Sequence, residues 1–543
     1  MRSFGLDSIG HPNEYSPTMR RRTQFTREIP WNSIIAPLAA TASATSLVLG
    51  AASAEAAPGY TIFRQLTHLT AGTIESVKMR LQDGAEIAFV SNGDVMGPGT
   101  ETTYRQVYLW QEGPDGRGTI TQVTHGTDCD SYDVAKPTDT VISDRPKIIA
   151  FASTCDLDPS IGNADHNPEI FLYEIDTGVF HQLTNTPTGV VNGEPFTSDS
   201  GRCLVFRSNG DLDDNKPSNP HYDPGHPGPG FSNPDGSDEI FLYGKMNGGA
   251  GYPYNATFAQ VSNGPAGTTS SHPVINGYYF PRQCQTTAFQ SDHDQLGGGH
   301  TGRGIYIYKM PASSLEAITA AEIPHGFPDG IYGNPSISGA SPFARGPHVV
   351  FESEPDLWNN DSKGTNIFDW RDFHPRMTQY TNVGAGFVAH EPQVGDGGGV
   401  IALSSTGELL HSGHDLRTGE SPPFNDDGNE EIFLLEGRRK VTQVTDTRDC
   451  TNLHPALKDD GDRLAFVSDC DLVAGVNPTN VPQVFLYQLE RQGYPLLQPD
   501  ACLQAEGCCL DSRKLTTCYH ALKGRKPKID RPNCLDKPKG CSS

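Results

Sequence analysis

The sequence predicts an all-β protein: a seven-bladed β-propeller with four-stranded antiparallel blades, closed by its N-terminal strand and followed by a small cysteine-rich tail. Two observations lead to this fold. One short motif recurs seven times, and each copy belongs to a unit of about 60 residues with four strand-like segments. The chain of 543 residues is also rich in glycine (58) and proline (42), which suits many short strands joined by turns.

Each copy of the motif has an apolar anchor, a serine two residues later and an acid five residues later. In the clearest copy, residues 464–472, the anchor Phe466 is followed by Ser468 and Asp471. Apolar residues spaced two apart indicate a half-buried strand, here strand b of each blade. The seven anchors are Phe89, Phe151, Phe206, Phe289, Phe351, Leu403 and Phe466.

Three further segments accompany strand b in a unit. A segment with a proline often comes before it, as at Pro195, and we expect this to be strand a with the proline at its first residue. An aromatic strand c follows, as in residues 170–173, and then a short strand d around a glutamine, as in residues 181–184. The fourth unit lacks a clear glutamine strand, which predicts an irregular blade.

Closure of the propeller follows from a mismatch in strand number. The seventh unit has no glutamine strand after Tyr487, whereas residues 63–67 form such a strand with no unit before them. We predict that this segment pairs with strand c near Phe485 and completes the seventh blade. Closure removes the exposed sheet edges that would otherwise promote aggregation.

The repeats resemble the TolB-type propeller repeat of exported bacterial proteins. The resemblance lies in the proline of strand a, the A-F-x-S of strand b, the E-I-F-L-Y of strand c and the Q-L-T of strand d, over residues 60–489. It implies the propeller fold. It implies no activity, because such propellers serve as binding platforms and as enzyme domains. The repeats differ from those of TolB in number, seven instead of six, and we expect no separate domain before them. A TolB role in envelope protein assembly is therefore not carried over.

The two ends of the chain differ from the repeats. Residues 1–56 have the pattern of a leader and signal peptide, with a basic segment before a small, apolar one and cleavage near Ala56. Residues 57–497 form the predicted propeller, and residues 498–543 form a basic tail with six cysteines whose pairing the sequence leaves open. We therefore expect a periplasmic or secreted protein.

The charge of the chain limits its partners. A net charge of −24 disfavours nucleic acid and anionic lipid, and favours cations or basic partners. No other segment is apolar over the ~20 residues that a membrane-spanning helix needs. We expect a monomer without a membrane span.

Two cysteine pairs hold matching positions in the second and seventh units. Cys129 and Cys450 lie in the loop entering a blade, and Cys155 and Cys470 lie at the end of strand b. These places meet on one face in adjacent strands, which predicts the disulfides Cys129–Cys155 and Cys450–Cys470, with zinc as the alternative. Cys203 and Cys284 remain as a third candidate pair.

The loops between strands b and c contain candidate calcium ligands. Calcium takes ~6–8 oxygen atoms from carboxylates, amides and carbonyls, although no loop has the EF-hand spacing. The alternative is that the acid after strand b caps a turn by accepting backbone N–H groups. The calcium candidates are Asp156, Asp158, Asp165, Asn167, Asp211 and Asp213.

The two longest b–c loops, in the third and sixth units, lead to the functional hypothesis. Both project from one face and combine acids with Tyr222, Phe231 and Phe424, which we predict to be the binding rim. The predicted function is an exported scaffold that binds a protein or glycan without catalysis. The alternative is a carbohydrate-active enzyme, similar to seven-bladed polysaccharide lyases, with a metal held at the rim or channel by loop histidines. The candidate histidines are His221, His226, His293 and His300.

Overall fold

The computed structural model describes residues 61–489 with internal gaps, the longest being 213–232, 245–256, 318–329 and 410–424. Strand β1 (Thr61–Gln65) begins the described part, and 27 further strands follow it. In the order a to d, blades 1 to 7 are β2 (Ile74–Met79), β3 (Glu86–Ser91), β4 (Gln106–Glu112), β5 (Gly118–Gln122); β6 (Ser131–Tyr132), β7 (Ile148–Ser153), β8 (Glu169–Glu174), β9 (Phe180–Gln182); β10 (Asn192–Thr197), β11 (Cys203–Ser208), β12 (Glu239–Gly244), β13 (Thr257–Gln260); β14 (Ser270–Ile275), β15 (Thr286–Ser291), β16 (Gly302–Lys309), β17 (Ser314–Ala317); β18 (Gly330–Ile337), β19 (His348–Ser353), β20 (Asn366–Arg371), β21 (Arg376–Gln379); β22 (Ala389–Val394), β23 (Val400–Ser405), β24 (Glu431–Glu436), β25 (Lys440–Gln443); and β26 (Asn452–Leu457), β27 (Arg463–Ser468), β28 (Gln483–Leu489), β1.

Within each blade, neighbouring strands pair in antiparallel order from a to d, so the seven-bladed propeller predicted from the sequence is confirmed. The closing strand β1 pairs with β28 from Thr61 opposite Leu489 to Gln65 opposite Phe485. Blade 4 is irregular as expected. Its outer strand β17 has no glutamine, and β16 also forms a short parallel contact with β18 of blade 5.

The recurring serine and threonine positions have a hydrogen-bonding role in every blade where the bond is described. The serine that ends strand b accepts the N–H two residues later, as Ser468 does from Cys470 at 3.0 Å. The threonine or serine after the glutamine accepts an N–H of strand c, as Thr184 does from Ile170 at 2.9 Å. These side chains satisfy N–H groups at one end of the sheet, where strand b ends and strand c begins.

Aromatic pairs form the centre of the blades. In six of the seven, the strand-b anchor stacks on an aromatic ring of strand c, from 5.4 Å between the centroids of Phe89 and Tyr108 to 6.2 Å between those of Phe351 and Phe368. Blade 6 has Leu403 opposite Phe433 instead. All seven anchors are 0% exposed, so this motif residue defines the core.

The prolines of strand a differ from expectation in their position. Pro195 lies inside β10, whose pairing with β11 skips from Gly193 to Phe196. The same irregularity occurs in blades 4 to 7, so that the proline belongs to a β-bulge and does not begin the strand. A bulge leaves its residues out of the ladder, and the missing proline N–H therefore costs no strand–strand hydrogen bond.

Both predicted disulfides are present. Cys129 is bonded to Cys155, with their Cα atoms 5.1 Å apart, and Cys450 to Cys470, with theirs 5.4 Å apart. Cys203 is also disulfide-bonded, whereas Cys284 and the C-terminal tail lie outside the described residues. Among the described residues, no helix is long and apolar enough to cross a membrane.

Replacing both Cys450 and Cys470 by alanine should lower the free energy of unfolding by about 3 kcal/mol, because the unfolded chain regains the entropy of an open loop. Equilibrium denaturation measures this loss, and the unchanged Cys129–Cys155 cross-link serves as control. Free thiols at these positions in the non-reduced wild type would contradict the disulfide assignment.

Candidate functional site

The predicted rim residues lie outside the part of the chain that the structure describes. Tyr222, Phe231, Phe424 and Asp213 lie outside the described residues, as do the candidate metal ligands His221, His226 and His300. The strands that carry the two insertions are described. Ser208, the last residue of β11, pairs with Asn192, the first of β10. The insertion after Ser208 therefore leaves from the face where strand a begins.

The described calcium candidates take part in hydrogen bonds of their own loops. Asp156 accepts the N–H of Asn163 at 3.2 Å, and Asp211 accepts that of Asn233 at 3.1 Å. Asp158 accepts the N–H of Gln182, Asp165 the hydroxyl of Thr188, and Asn167 donates to Glu169. This is the turn-capping chemistry that was the alternative for the acid after strand b. Calcium binding by these loops stays a prediction.

One group of three potential metal ligands is found among the described residues. The side chains of Cys450, Asp469 and Cys470 have ligand atoms within 4.8 Å of one another. The two cysteines form a disulfide, so their sulfur atoms are not thiolate ligands. The group is therefore explained by the disulfide of blade 7.

One described cavity lies in the central channel, and we call it the mouth. Strand a of all seven blades lines it, and its volume is about 350 Å³. Its lining residues lie in the middle of strand a, as the third to fifth of the six residues in β2, β10, β14 and β22.

Six residues at the mouth adopt a left-handed backbone conformation, with φ from 46° at Asn334 to 55° at His454. Such values are uncommon outside glycine, and strained residues of this kind concentrate at functional sites. In blades 3 to 7 each lies at the bulge of strand a, and in blade 2 Asp133 directly follows strand a. We call this set the mouth ring: Asp133, Glu194, His272, Asn334, Glu391 and His454.

Hydrogen bonds join the mouth ring from blade to blade. At each of the five joints between blades 2 and 7, a side chain of one blade accepts the backbone N–H of the mouth-ring residue in the next. These N–H groups are thereby satisfied, and the ring is held in place. The bonds run from Glu194 N to Asp133 Oδ2 (3.0 Å), His272 N to Glu194 Oε2 (2.5 Å), Asn334 N to Gln290 Oε1 (3.0 Å), Glu391 N to Glu352 Oε1 (2.7 Å) and His454 N to Glu391 Oε2 (2.7 Å).

The carboxyl groups of the mouth have different proton affinities. Burial raises the pKa of Asp133 and of Glu352, and their hydrogen bonds only partly offset it. Burial would also raise the pKa of Glu391, but the hydrogen bond and charge of His454, whose Nδ1 lies 2.9 Å from Oε1, lower it to about 2. Opposed shifts within one cavity are typical of functional sites, although structural ion pairs also produce them.

Blade 1 interrupts the mouth ring. Its strand a places Ser76 and Lys78 on the cavity wall, and it has no left-handed residue among those described. The Ser76 hydroxyl is buried without a hydrogen-bond partner in the described structure. Burial lowers the pKa of Lys78, while the charges of Glu391 and Asp133 oppose this shift. Blade 1 therefore has two polar side chains, Ser76 and Lys78, without a hydrogen-bond partner in the described structure. The mouth-ring N–H groups of blades 3 to 7 all have one.

The sequence contained a signal for the mouth ring that pattern analysis did not use. Five of its six members directly precede the proline of strand a, and Asp133 precedes Val134. Their side chains are of the kinds that form hydrogen bonds, and this position repeats once per unit. What the pattern did not supply is the bulge, which turns that position toward the channel.

Replacing His454 by glutamine should lower the free energy of unfolding at pH 7 by about 1–2 kcal/mol, a value between those of exposed and buried ion pairs. The pKa of Glu391 is lowered from 4.5 to about 2 in the folded protein. The stabilisation is therefore present above pH ~5 and is lost as the pH falls toward 2, so the two proteins should converge in acid. Denaturation at pH 7, 5 and 3 measures this.

The matched control for that substitution is His272→Gln, because Nδ1 of His272 is 3.9 Å from Glu194 Oε2 and the pair is weaker. We expect a smaller loss with little dependence on pH. Equal losses for the two variants at every pH would contradict a special role for the Glu391–His454 pair.

The fold and the site define a class of protein: a seven-bladed propeller whose channel mouth is a polar cavity. No family model matches the sequence, and no curated protein matches it. Solved structures do resemble the fold. An oligogalacturonate lyase from Vibrio parahaemolyticus is 12% identical with a TM-score of 0.42, and the match covers 80% of this chain and 99% of that one.

Two further structures show the range of these matches. An oligogalacturonate lyase in complex with manganese is 14% identical with a TM-score of 0.42, over 80% of this chain and 99% of that one. TolB from Acinetobacter baumannii is 10% identical with a TM-score of 0.33, over 72% of this chain and 78% of that one. TolB proteins are thus among the neighbours, as the repeat motifs predicted. At such identities the likeness concerns the fold alone.

Proposed function

We propose that this protein is an extracytoplasmic binding protein that holds a segment of a protein or glycan at its channel mouth and does no chemistry on it. The observation that supports the proposal is the mouth ring: six strained polar residues, one in each of blades 2 to 7, around a cavity of about 350 Å³. Strained residues persist where the surrounding structure fixes them, and pre-organised groups lose little entropy on binding. The two disulfides are compatible with an oxidising compartment.

The mouth and the insertions would form one binding surface. The blade-3 insertion begins beyond Leu212 and ends before Asn233, at the end of the blade where strand a begins. Tyr222, Phe231 and Phe424 would then contact the outer part of a ligand whose tip enters the cavity. Rigid strands that position polar groups, surrounded by variable loops, are a common arrangement for recognition.

A protein segment suits the cavity better than a glycan. Phe196 is the one aromatic ring among its described lining residues, apart from the imidazoles of the mouth ring. The ammonium group of Lys136 lies 5.3 Å from the centre of that ring. A sugar would therefore find little free aromatic surface to stack on. Backbone amides of an extended peptide can instead bond to the histidine, asparagine and carboxylate side chains of the mouth.

The substitution His272→Trp tests the proposal, because this partly exposed residue is already in the left-handed conformation and an indole would fill the mouth. We expect the variant to fold and to lose at least tenfold in affinity for a ligand captured by the wild type from an extract of the source. The matched control is Val179→Trp, at an exposed position beyond strand c at the other end of blade 2.

Three results distinguish binding at the mouth, binding elsewhere on the protein and lyase activity. Loss of capture by His272→Trp but not by Val179→Trp supports binding at the mouth. Unchanged capture by both variants would move the site to the rim alone or to the tail. Cleavage of an acidic polysaccharide that depends on added manganese would instead assign a lyase, which was the alternative from the sequence.

A further inference from the structure

The residues that line the central channel differ between the mouth ring and the end of strand a. One or two residues further along strand a, toward its last residue, lies a smaller cavity of about 30 Å³. Its described lining contains two lysines, Lys78 and Lys136, and the neutral polar residues Ser336 and Gln393, but no carboxylate. Apolar side chains form the rest of this lining, so the two ammonium groups lie in a largely apolar layer next to an acidic mouth.

The two lysines of this layer differ in how they are neutralised. Lys136 forms an ion pair with Asp199 of blade 3 and also contacts the Phe196 ring. Lys78 forms no hydrogen bond or ion pair with any described residue. It lines both the mouth cavity and the smaller one, where it is partly exposed. A confined ammonium group without a partner is costly, and an incoming anion removes that cost.

Asp133 and Glu391 do not bond to Lys78, and three of their four carboxylate oxygen atoms have other partners. Asp133 Oδ2 accepts the Glu194 N–H, and Glu391 accepts the N–H and the imidazole of His454. The charges of Asp133 and Glu391 act on Lys78, but neither carboxylate bonds to it. Beside Lys78, the buried Ser76 hydroxyl is a second group without a partner.

We propose that Lys78 and Ser76 form a subsite for a carboxylate at the tip of the bound peptide; this inference rests on the proposed function. The carboxylate would pass the mouth ring and accept charge-assisted hydrogen bonds from the Lys78 ammonium and the Ser76 hydroxyl. Ser76 and Lys78 both line the cavity of about 350 Å³, which has room for a carboxylate beside them. Capture of a chain-terminal carboxylate is a known mode of peptide recognition.

The experiment observes Lys78 directly in the full-length protein. Reductive methylation with ¹³C-formaldehyde labels each lysine and keeps its charge, and the spectrum of Lys78→Gln identifies the Lys78 signal. The probes are N-acetyl-trialanine, its C-terminal amide, N-acetyl-aspartic acid with only its α-carboxyl group amidated, and glucuronate. We expect the free acid to shift the Lys78 signal saturably and the amide to leave it unchanged. Lys440, which is exposed on strand β25, should not respond to any of them.

Binding strength provides a second readout. Lys78→Gln should weaken binding of N-acetyl-trialanine at least tenfold, and Lys78→Arg should recover part of it. Ser76→Ala should weaken it less. No shift of Lys78 with any probe would overturn the proposal. A shift with glucuronate but not with the peptide acid would overturn the assignment to a peptide, and a shift with the aspartate probe alone would replace the chain terminus by a side chain.

The outcome is separable from that of the proposed function. If no carboxylate shifts the Lys78 signal while His272→Trp still abolishes capture, binding at the mouth is supported and the subsite is wrong. If Lys78 responds to the free acid but capture is insensitive to His272→Trp, the subsite stands and the proposed larger binding surface is wrong.

Discussion

Deletion of strand β1 is expected to abolish the closed propeller. The strand makes five residue pairs with β28, and Phe63 packs on Phe466 and Tyr487 with centroids 6.1 Å and 5.6 Å apart. Burial of a phenylalanine contributes about 1.5–3 kcal/mol, and the lost backbone ladder adds to this. The edge of β28 would then be free to pair with other chains. Light scattering should show aggregates, and the melting transition should broaden or disappear.

A permuted chain supplies the control for this deletion. When residues 61–67 are moved to follow Leu489 through a short turn, the same strand can pair with β28 from the other end. We expect this variant to regain a monomeric, cooperative fold, because the hydrogen bonds of Thr67 with Gln483 and Val484 can form again. A deletion variant that stays monomeric and melts like the wild type would show that closure is not needed.

The substitution Phe466→Ala should have the second largest effect, a loss of about 3–5 kcal/mol in the free energy of unfolding. Phe466 is fully buried in blade 7, stacks on Phe485 with centroids 5.9 Å apart, and also meets Phe63 of the closing strand. The cavity would therefore weaken the blade and its seam together. Denaturation curves with an unchanged slope and a lower midpoint would measure this loss.

The anchor of blade 6 is the natural comparison for Phe466. Leu403 is equally buried but has no ring to stack with, so Leu403→Ala removes less packing. We expect a loss of about 2–4 kcal/mol, smaller than that for Phe466 by the ~1 kcal/mol that an aromatic pair adds. A greater loss at Leu403 than at Phe466 would mean that the closing seam adds nothing to the packing of blade 7.

The fold could be predicted because its rules are local and repeat. Ser468, Thr184 and their equivalents bond to the backbone within their own blade, so each copy of the motif carries the same chemistry. Closure followed from counting strands, since one segment had no unit. The disulfides followed because both cysteines of a pair lie at the ends of neighbouring strands.

The site could not be predicted in the same way because it depends on contacts between units. Glu391 and His454 are far apart in the sequence, and their contact exists only after blades 6 and 7 pack around the channel. Lys78 was missed for another reason. Blade 1 has no proline in strand a, so its strand did not match the pattern used for the other blades.

One element of the strand-c motif also had a role that the pattern did not reveal. Glu431 at the start of β24 is buried, and it accepts hydrogen bonds from Asn429 and Thr447 of the loops beside blade 6 and from Asn452 of blade 7. Burial raises its pKa in spite of these bonds. Glu169 has the same set of partners in blades 2 and 3. A charged residue inside a strand motif indicates such a junction only once the neighbouring blade is known.

The five hydrogen bonds of the mouth ring all point the same way, with the N–H in the later blade and the acceptor in the earlier one. The two sides of each blade therefore differ, as in head-to-tail assembly. In such an assembly, units can be added one after another unless the ring closes. In this chain the hydrogen-bonded seam between β1 and β28 closes it. Duplication or loss of a whole repeat would bring together the same two sides as before, so a gene of this kind can change its number of blades without evolving a new contact.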